Sequence, residues 1–488
     1  LITQNLSLKS KQPKRKIIST ENTYYQSIKM RTRFAPSPTG HLHIGGARTA
    51  IFAWLHAKAQ KGKFLIRFED TDKERSKQEF VNSILSSLSW LGIEADEEPL
   101  FQSSRQTKHK EIALDLLNKG LAYSCNVSPE RLEEVRKIQQ QNKQQPRYDG
   151  SSRDLNLPHE EGNVIRFKMP LEGETSFEDK ILKKISINNK ELDDFIIIRS
   201  DGSPTYNFCA AVDDIEMEIT TVIRGDDHIT NTLKQINIFN ALEVDIPEYA
   251  HLPMVLSPEG KRLSKREGAL DINEYKKMGY LKEAMINYLI KLGWTYKEQE
   301  IFSEEELIKY FDIQNVNSSA AKFSQKLLDF YNNHYLKETN INSLYAYIDT
   351  NFSLSDKFIQ NPKKIEIIDL LRESSNNIIQ IIEELTFFQD DPELTQDLLT
   401  SIQIDKDILE KFKEELEEVN FNDKLLIGVF LDNFLSKNNL KFPILGKPLR
   451  LILTGKSKAP SITDLLFLIG KEDCINRIAV SYTHLRAH

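Results

Sequence analysis

The chain has 488 residues, 40% apolar and 28% charged, the balance of a folded protein of about three domains rather than a disordered one. No run approaches the roughly 20 consecutive apolar residues that a membrane-crossing helix requires, which argues against a transmembrane role. Lys and Arg total 65 against 72 for Asp and Glu, a net charge of −7, so any nucleic-acid binding must use local basic patches.

Residues 1–29 lack an initiating Met, carry the basic run Lys11-Gln12-Pro13-Lys14-Arg15-Lys16 and show no apolar period. They read as a translated upstream extension, with an organelle presequence as the alternative. A short strand is predicted over 32–34, then the Pro/Gly loop 35–40, then a helix from near Gly45 whose stripe is Ala47, Ala50, Ile51, Trp54 and Leu55, closed by Gly62. A second strand over 64–68 runs into the acidic loop Glu69-Asp70-Thr71-Asp72, and a further helix covers 78–91. Strand, helix, strand in this order is a βαβ unit, which implies a parallel sheet with a right-handed crossover.

From 163 to 200 short β-rich runs dominate, at 164–167 and 195–199, so residues 110–200 are predicted to be an insertion between halves of the α/β domain. The sheet resumes at 221–224 and a helix follows over 229–242. After Gly293 the pattern turns all-α to about residue 435. Ser303 with Glu306 forms a capping box, and Ile408, Leu409, Phe412, Leu416 and Val419 share one helix face. Residues 481–488 look like translated sequencing-adapter DNA, placing the expected end near Val480. The three cysteines, Cys125, Cys209 and Cys474, are too few and scattered for a disulfide framework and suit a reducing interior.

Two segments carry chemistry. Pro36 to Gly46 leaves a strand and opens a helix, where glycines admit a ligand to the backbone and the helix start offers N–H groups and a positive dipole end to phosphate. His43 would stand beside that anion; the alternative is a plain Gly-rich turn with a solvent-facing His. Lys261-Arg262-Leu263-Ser264-Lys265-Arg266 follows a Pro-Glu-Gly turn. It is either a solvated loop or a set of cations that neutralises a triphosphate as charge moves to departing pyrophosphate, with Lys265 best suited to follow the moving oxygens.

PSPTGHLHIGGARTA, FEDTD, DGSPTYNF, VIRGDDH and KRLSKREGA, in that order, resemble the bacterial-type glutamyl-tRNA synthetases of class I. His43-Ile44-Gly45-Gly46 is similar to the HIGH signature with Gly46 in place of its last His, and Arg262-Leu263-Ser264-Lys265-Arg266 to KMSKS with Arg262 in place of its first Lys. The resemblance runs from 32 to about 478. It implies a Rossmann-like α/β catalytic domain with a parallel sheet, an α+β insertion and an all-α C-terminal anticodon-binding half. The corresponding divisions are 30–109 and 201–256 for the catalytic halves, 110–200 for an acceptor-binding insertion, 257–335 for the KMSKS loop and a helical stem-contact domain, and 336–480 for the anticodon-binding domain.

The same resemblance implies the site. His43 and Lys265 are the catalytic pair. ATP would meet His43, Gly45, Gly46, Asp227, His228, Arg262, Ser264 and Lys265. Glutamate would meet Arg33, Ala35, Ser37, Glu69, Tyr206 and Arg224. Read on their own, Arg33 and Arg224 could equally pair with Glu69 or Asp72, Tyr206 could be a core aromatic, and Asp227 could serve a helix N-terminus.

Some relatives hold zinc in the insertion. Here Cys125 stands with Val127, Ser152 and Asp154, and one thiolate cannot close a tetrahedral zinc site, so no zinc is expected. Mg²⁺ is expected with ATP, because phosphate oxygens supply most of its ligands. Lys441, Lys447, Arg450, Lys456 and Lys458 are cations that could meet tRNA phosphates, and the anticodon-reading Arg of some relatives aligns near Ser374. The expected activity is ATP-dependent attachment of glutamate to tRNA(Glu) through glutamyl-adenylate by a cytoplasmic, bacterial monomer, with an organellar setting open. The alternatives are an enzyme that also charges tRNA(Gln), a non-catalytic tRNA-binding descendant, and an enzyme glutamylating a tRNA base.

Overall fold

Strands β1 (Arg31–Phe34) and β2 (Lys63–Phe68) flank helix α1 (Ile44–Ala59), and β1 pairs with β2 in parallel from Arg31↔Lys63 to Phe34↔Ile66. The structure, a computed structural model, describes residues 29–486 apart from 73, 264–269 and 394. The expectation for 1–29 therefore lies, save for Lys29, outside the described residues. Both strands are buried on both faces, which is why β2 reads as a nearly unbroken apolar run. In α1 the stripe Ala47, Ala50, Ile51, Trp54 and Leu55 is buried, and so are Arg48 and His56. The exposed side chain of His43 caps this helix, accepting from the Gly46 N–H at 3.3 Å. Helix α2 (Gln78–Trp90) and the two-residue strand β3 (Leu100–Phe101), parallel to β2, complete this half.

The predicted insertion divides between two sheets. Helix α3 (Gln106–Asn118), strand β4 (Ala122–Cys125), helix α4 (Pro129–Gln141) and strand β5 (Val164–Phe167) come first. Helix α4 opens on a Ser128 cap followed by Pro129, a start signal plainly present in the sequence. Next come β6 (Glu174–Asp179), β7 (Lys183–Asn188) and β8 (Ile196–Ile198). Strands β4, β5 and β8 form a separate antiparallel three-stranded sheet. The β6–β7 hairpin instead joins the main sheet.

Helix α5 (Tyr206–Glu216), strand β9 (Thr221–Gly225), helix α6 (Ile229–Ala241) and strand β10 (Glu248–Leu252) return the chain to that sheet. Its seven strands run in the order β3-β2-β1-β9-β10-β6-β7, parallel apart from the β6–β7 hairpin. The hairpin docks on the edge that β10 would otherwise leave unpaired, with Lys180 N–H donating to the Tyr249 carbonyl at 2.9 Å. From β1 the chain builds outward to β2 and β3 on one side, and β9 and β10 build on the other. The crevice between β1 and β9 is thus the switch point where open parallel sheets bind ligands.

Strand β11 (Val255–Leu256) follows, then helices α7 (Ile272–Lys277), α8 (Lys282–Lys291) and α9 (Glu304–Tyr310), the last opened by the Ser303–Glu306 capping box. Against the all-α expectation, β12 (Ala321–Lys322) pairs with β11, a two-residue strand too short to leave a periodic trace. Helix α10 (Gln325–Glu338) leads into a helical half that runs well past residue 435. There Leu409, Phe412 and Leu416 of helix Lys406–Glu417 are buried in a core of their own, with Ile408 and Val419 packed against it. The last helix, Lys471–Arg486, packs beyond Val480: Ser481 is buried, and the Tyr482 hydroxyl donates to Glu410 at 2.8 Å.

Candidate active site

A cleft of about 310 Å³ opens at the C-terminal ends of β1 and β9. Arg33, Phe34 and Ala35 enter from β1 and its exit; His43, Gly45 and Gly46 from the start of α1; Arg224 and Gly225 from β9; Asp227 and His228 from the turn before α6; Arg262 and Leu263 from the cationic loop. Four arginines, Arg33, Arg48, Arg224 and Arg262, face two carboxylates, Glu69 and Asp227, in the lining, so the cleft favours anions.

The floor is ionic and buried. Arg33 donates from Nε and Nη2 to Asp214 at 3.0 and 3.4 Å, and Arg67 donates from Nη1 to the same carboxylate at 2.5 Å and from Nη2 to Glu69 at 3.2 Å. All four side chains are at most 6% exposed. Burial opposes ionisation of Asp214, but Arg33 and Arg67 outweigh it and hold the group below the usual carboxylate range. At Glu69 burial prevails over the same two arginines, and the carboxyl sits above its ordinary value.

One wall carries Tyr206 and His228, whose Oη and Nδ1 lie 3.3 Å apart. Burial and the nearby Glu69 charge push the Tyr206 hydroxyl up to about 12, and burial with the Arg224 charge pushes His228 down to about 4. His228 is therefore neutral at physiological pH.

At the rim the two distant loops meet. The Arg262 guanidinium donates from Nη2 to Asp227 at 3.1 Å, and just after the cationic loop backbone bridges join Ile272 to Leu42 and Asp271 to His43. The glycines of the first loop are tightly set. A Cβ on Gly45 would stand 3.3 Å from the His43 ring, and one on Gly46 would fall 2.9 Å from Leu42 Cδ1.

Residues 29–330 match the catalytic-domain model of the tRNA synthetases class I (E and Q), and 321–481 match an anticodon binding domain. The chain is 42% identical over 464 residues to the glutamate–tRNA ligase of Francisella tularensis subsp. novicida, covering 93% of this chain and 99% of that one.

The chain belongs to the class I tRNA synthetases (E and Q).

The ligase of Nitrosomonas eutropha is 43% identical over 456 residues, 92% of this chain and 98% of its own. A glutamate tRNA ligase structure from Elizabethkingia meningosepticum, in complex with its amino acid, superposes with a TM-score of 0.83 at 32% identity. It covers 94% of this chain and all of its own.

Of the residues singled out from sequence, this class I synthetase gathers Arg33, Ala35, His43, Gly45, Gly46, Glu69, Tyr206, Arg224, Asp227, His228 and Arg262 around one cleft. Ser37 is exposed and stands outside the lining. Ser264 and Lys265 lie outside the described residues. The ion pairs differ from the simple alternatives: Asp72 meets Arg75 at 2.7 Å, Glu69 meets Arg67, and Arg33 meets Asp214. Asp227 turns its carboxylate to Arg262.

Sequence reasoning passed over Arg48, Arg67, Asp214 and His251. Arg48 sits inside the GGARTA run as a buried charge among the small and apolar residues that open α1, a signal the stripe pattern hid. It donates to the carbonyls of Leu292 (2.6 Å) and Pro253, tying α1 to the segment that leads into the cationic loop, and burial pushes it down to about 10.

Cys125 is tied into a small hydrogen-bonded cluster. The buried thiol donates to Tyr148 Oη at 3.6 Å, and Tyr148 accepts from the Ser152 N–H while Arg166 stacks on its ring at 3.7 Å. Among the described residues no group of three or more His, Cys, Asp or Glu is disposed to hold a metal ion, and no helix is long and apolar enough to cross a membrane.

In the helical half Lys441, Lys447 and Lys458 are exposed, whereas Lys456 is tied to the Glu383 carbonyl at 2.7 Å and to Glu384 at 3.6 Å. Ser374 closes a helix end, its N–H donating to the Leu371 carbonyl.

Proposed function

We propose that the chain attaches L-glutamate to tRNA(Glu) in two steps. The α-carboxylate of glutamate attacks the α-phosphorus of ATP, forming glutamyl-adenylate and releasing pyrophosphate; a hydroxyl of the terminal ribose then attacks the acyl carbon, forming the ester and releasing AMP. The observation that carries this reading is the cleft itself, whose one volume is lined by the start of a helix, by Arg262 of the cationic loop, and by Arg33, Arg224 and Glu69.

Arg33 and Arg224 take the substrate carboxylates, and Glu69, which lines the same cleft, takes the ammonium. Ala35, in the same lining, belongs to the same end. His43 and the N–H groups of Gly45 and Gly46 meet phosphate, Asp227 and His228 the adenine side, and Arg262 with Ser264 and Lys265 the departing pyrophosphate. No side chain acts as a covalent nucleophile; positioning and charge do the work. Mg²⁺ enters with ATP on phosphate oxygens, in keeping with the sparse carboxylates of the lining. The exposed lysines of the helical half approach tRNA phosphates. The setting is a cytoplasmic monomer.

Glutamate-dependent exchange of labelled pyrophosphate into ATP, with tRNA(Glu) present, tests the first step, and charging of tRNA(Glu) against tRNA(Gln) tests the second. His43→Ala and Lys265→Ala should each lose orders of magnitude. Exchange unaffected by both, or charging with another amino acid, would overturn the reading.

A further inference from the structure

Arg224 is held by three donors' worth of contacts and has one group to spare. Nη2 donates to Thr232 Oγ1 at 2.5 Å and to Gln235 Oε1 at 2.9 Å, and Nε faces His251 Nε2 at 3.4 Å. Nη1 is buried and has no hydrogen-bond partner among the described residues, although Arg224 lines the cleft. A buried, unpaired guanidinium N–H is costly unless a ligand satisfies it.

Behind Arg224 stands a directed chain. Asp179, at the end of β6, accepts on Oδ1 from the N–H groups of Ile181 and Leu182, both at 2.9 Å, and on Oδ2 from the His251 backbone N–H at 3.0 Å. The His251 ring places Nδ1 2.7 Å from that same Oδ2 and Nε2 2.8 Å from Thr232 Oγ1. His251 and Asp179 are fully buried, and neither lines the cleft. Burial pushes the imidazole below its ordinary value against the pull of Asp179, so it is neutral and carries one N–H. An ionised carboxylate can only accept, which puts that proton on Nδ1 and leaves Nε2 an acceptor. The Thr232 hydroxyl then donates to Nε2, and its lone pair is free to accept from Arg224. With the proton on Nε2 instead, the ring would present a donor to the Arg224 Nε–H and reverse the Thr232 contact.

We propose that Asp179 and His251 are a positioning pair, fixing one histidine tautomer and through it the aim of Arg224 Nη1 at a carboxylate of the amino acid. The inference rests on the reading that Arg224 binds the amino acid. It gives the β6–β7 hairpin, which does not line the cleft, a part in setting substrate affinity. The logic is that of an outer residue orienting the one that touches the ligand.

Steady-state pyrophosphate exchange by the full chain with tRNA(Glu) tests it, using His251→Leu, His251→Gln and Arg224→Ala. Gln can present an oxygen acceptor where Nε2 stands; Leu cannot. His251→Leu should raise the KM for glutamate tenfold or more while kcat at saturating glutamate and the KM for ATP move less than about twofold, and His251→Gln should recover most of the loss. Equal values for Leu and Gln, or a fall in kcat with the glutamate KM unmoved, would overturn the pair's role. If Arg224→Ala itself leaves the glutamate KM unchanged, the reading of Arg224 fails instead. Should the Leu variant not fold, ¹⁵N-histidine spectra of the wild-type chain decide: His251 protonated on Nδ1 supports the proposal, and protonation on Nε2 sinks it.

Discussion

Arg33 and Arg262 each meet an aspartate far along the chain, one on the floor of the cleft and the other at its rim. The Arg33–Asp214 pair is 3% and 2% exposed and shares its carboxylate with Arg67; the Arg262–Asp227 pair is 70% and 37% exposed. The same two side-chain types therefore do opposite work. Buried charges without water have a high cost of being parted, so the floor is fixed before substrate arrives. Exposed ones gain little from meeting, so the rim can open and close at small expense. A site that must discriminate an amino acid yet admit a nucleotide and release pyrophosphate needs both.

The comparison breaks first at Asp214. Asp214→Ala leaves two guanidinium groups buried beside a single carboxylate, and a loss of about 3–5 kcal/mol is expected from denaturant unfolding. A loss under about 1 kcal/mol would mean that the floor is no more rigid than the rim. His43→Ala is next. It sits at the exposed start of α1, so the fold should survive, while kcat for pyrophosphate exchange should fall about 100- to 1,000-fold if the ring stabilises charge on phosphate. A parallel drop in melting temperature would instead make His43 mainly the cap that accepts from Gly46. Asp227→Asn should cost under about 1 kcal/mol and lose even that in high salt, as an exposed pair must.

The rim was more legible in the sequence than the floor, and the reason is distance along the chain. His43, Gly45, Gly46, Arg262 and Asp227 sit in short runs whose glycines and clustered charges mark a loop. Strands β1 and β2 showed as short runs beside turn residues, and α1 as a stripe of period 3.6. Asp214 gave no such sign: it lies on α5, 181 residues from Arg33, and only the parallel register of β1 against β9 brings them together. Arg67 was hidden in a similar way, as a charge late in a strand whose interior, from Phe64 to Phe68, is otherwise Phe, Leu and Ile. The β6–β7 hairpin falls inside the stretch 110–200 that the sequence marks as an insertion, because short β-rich runs there stand between the two halves of the α/β domain. Nothing local says that β10 leaves an edge for it to cover.

Strand β1 offers the finest test, since it carries both regimes two residues apart. Arg31, at the other end of the strand, donates from Nη1 and Nη2 to Glu97 at 2.8 and 3.1 Å, and Lys63 donates to the same carboxylate at 2.9 Å. Hydrogen bonds from Arg31 and then Lys63 pull Glu97 down to about 2, although its side chain is 36% exposed. Its folded value lies below the unfolded one near 4.5, so the contact contributes stability above pH 4.5 and loses it as the pH falls through about 2. Solvent screening keeps that contribution under about 1 kcal/mol. Glu97→Gln should thus be slightly less stable than the wild type at pH 7, and the gap should close between pH 4.5 and 2. If the gap persists at pH 2, neutral hydrogen bonding rather than charge holds the pair, and exposure alone does not separate the weak pairs of this molecule from the strong ones.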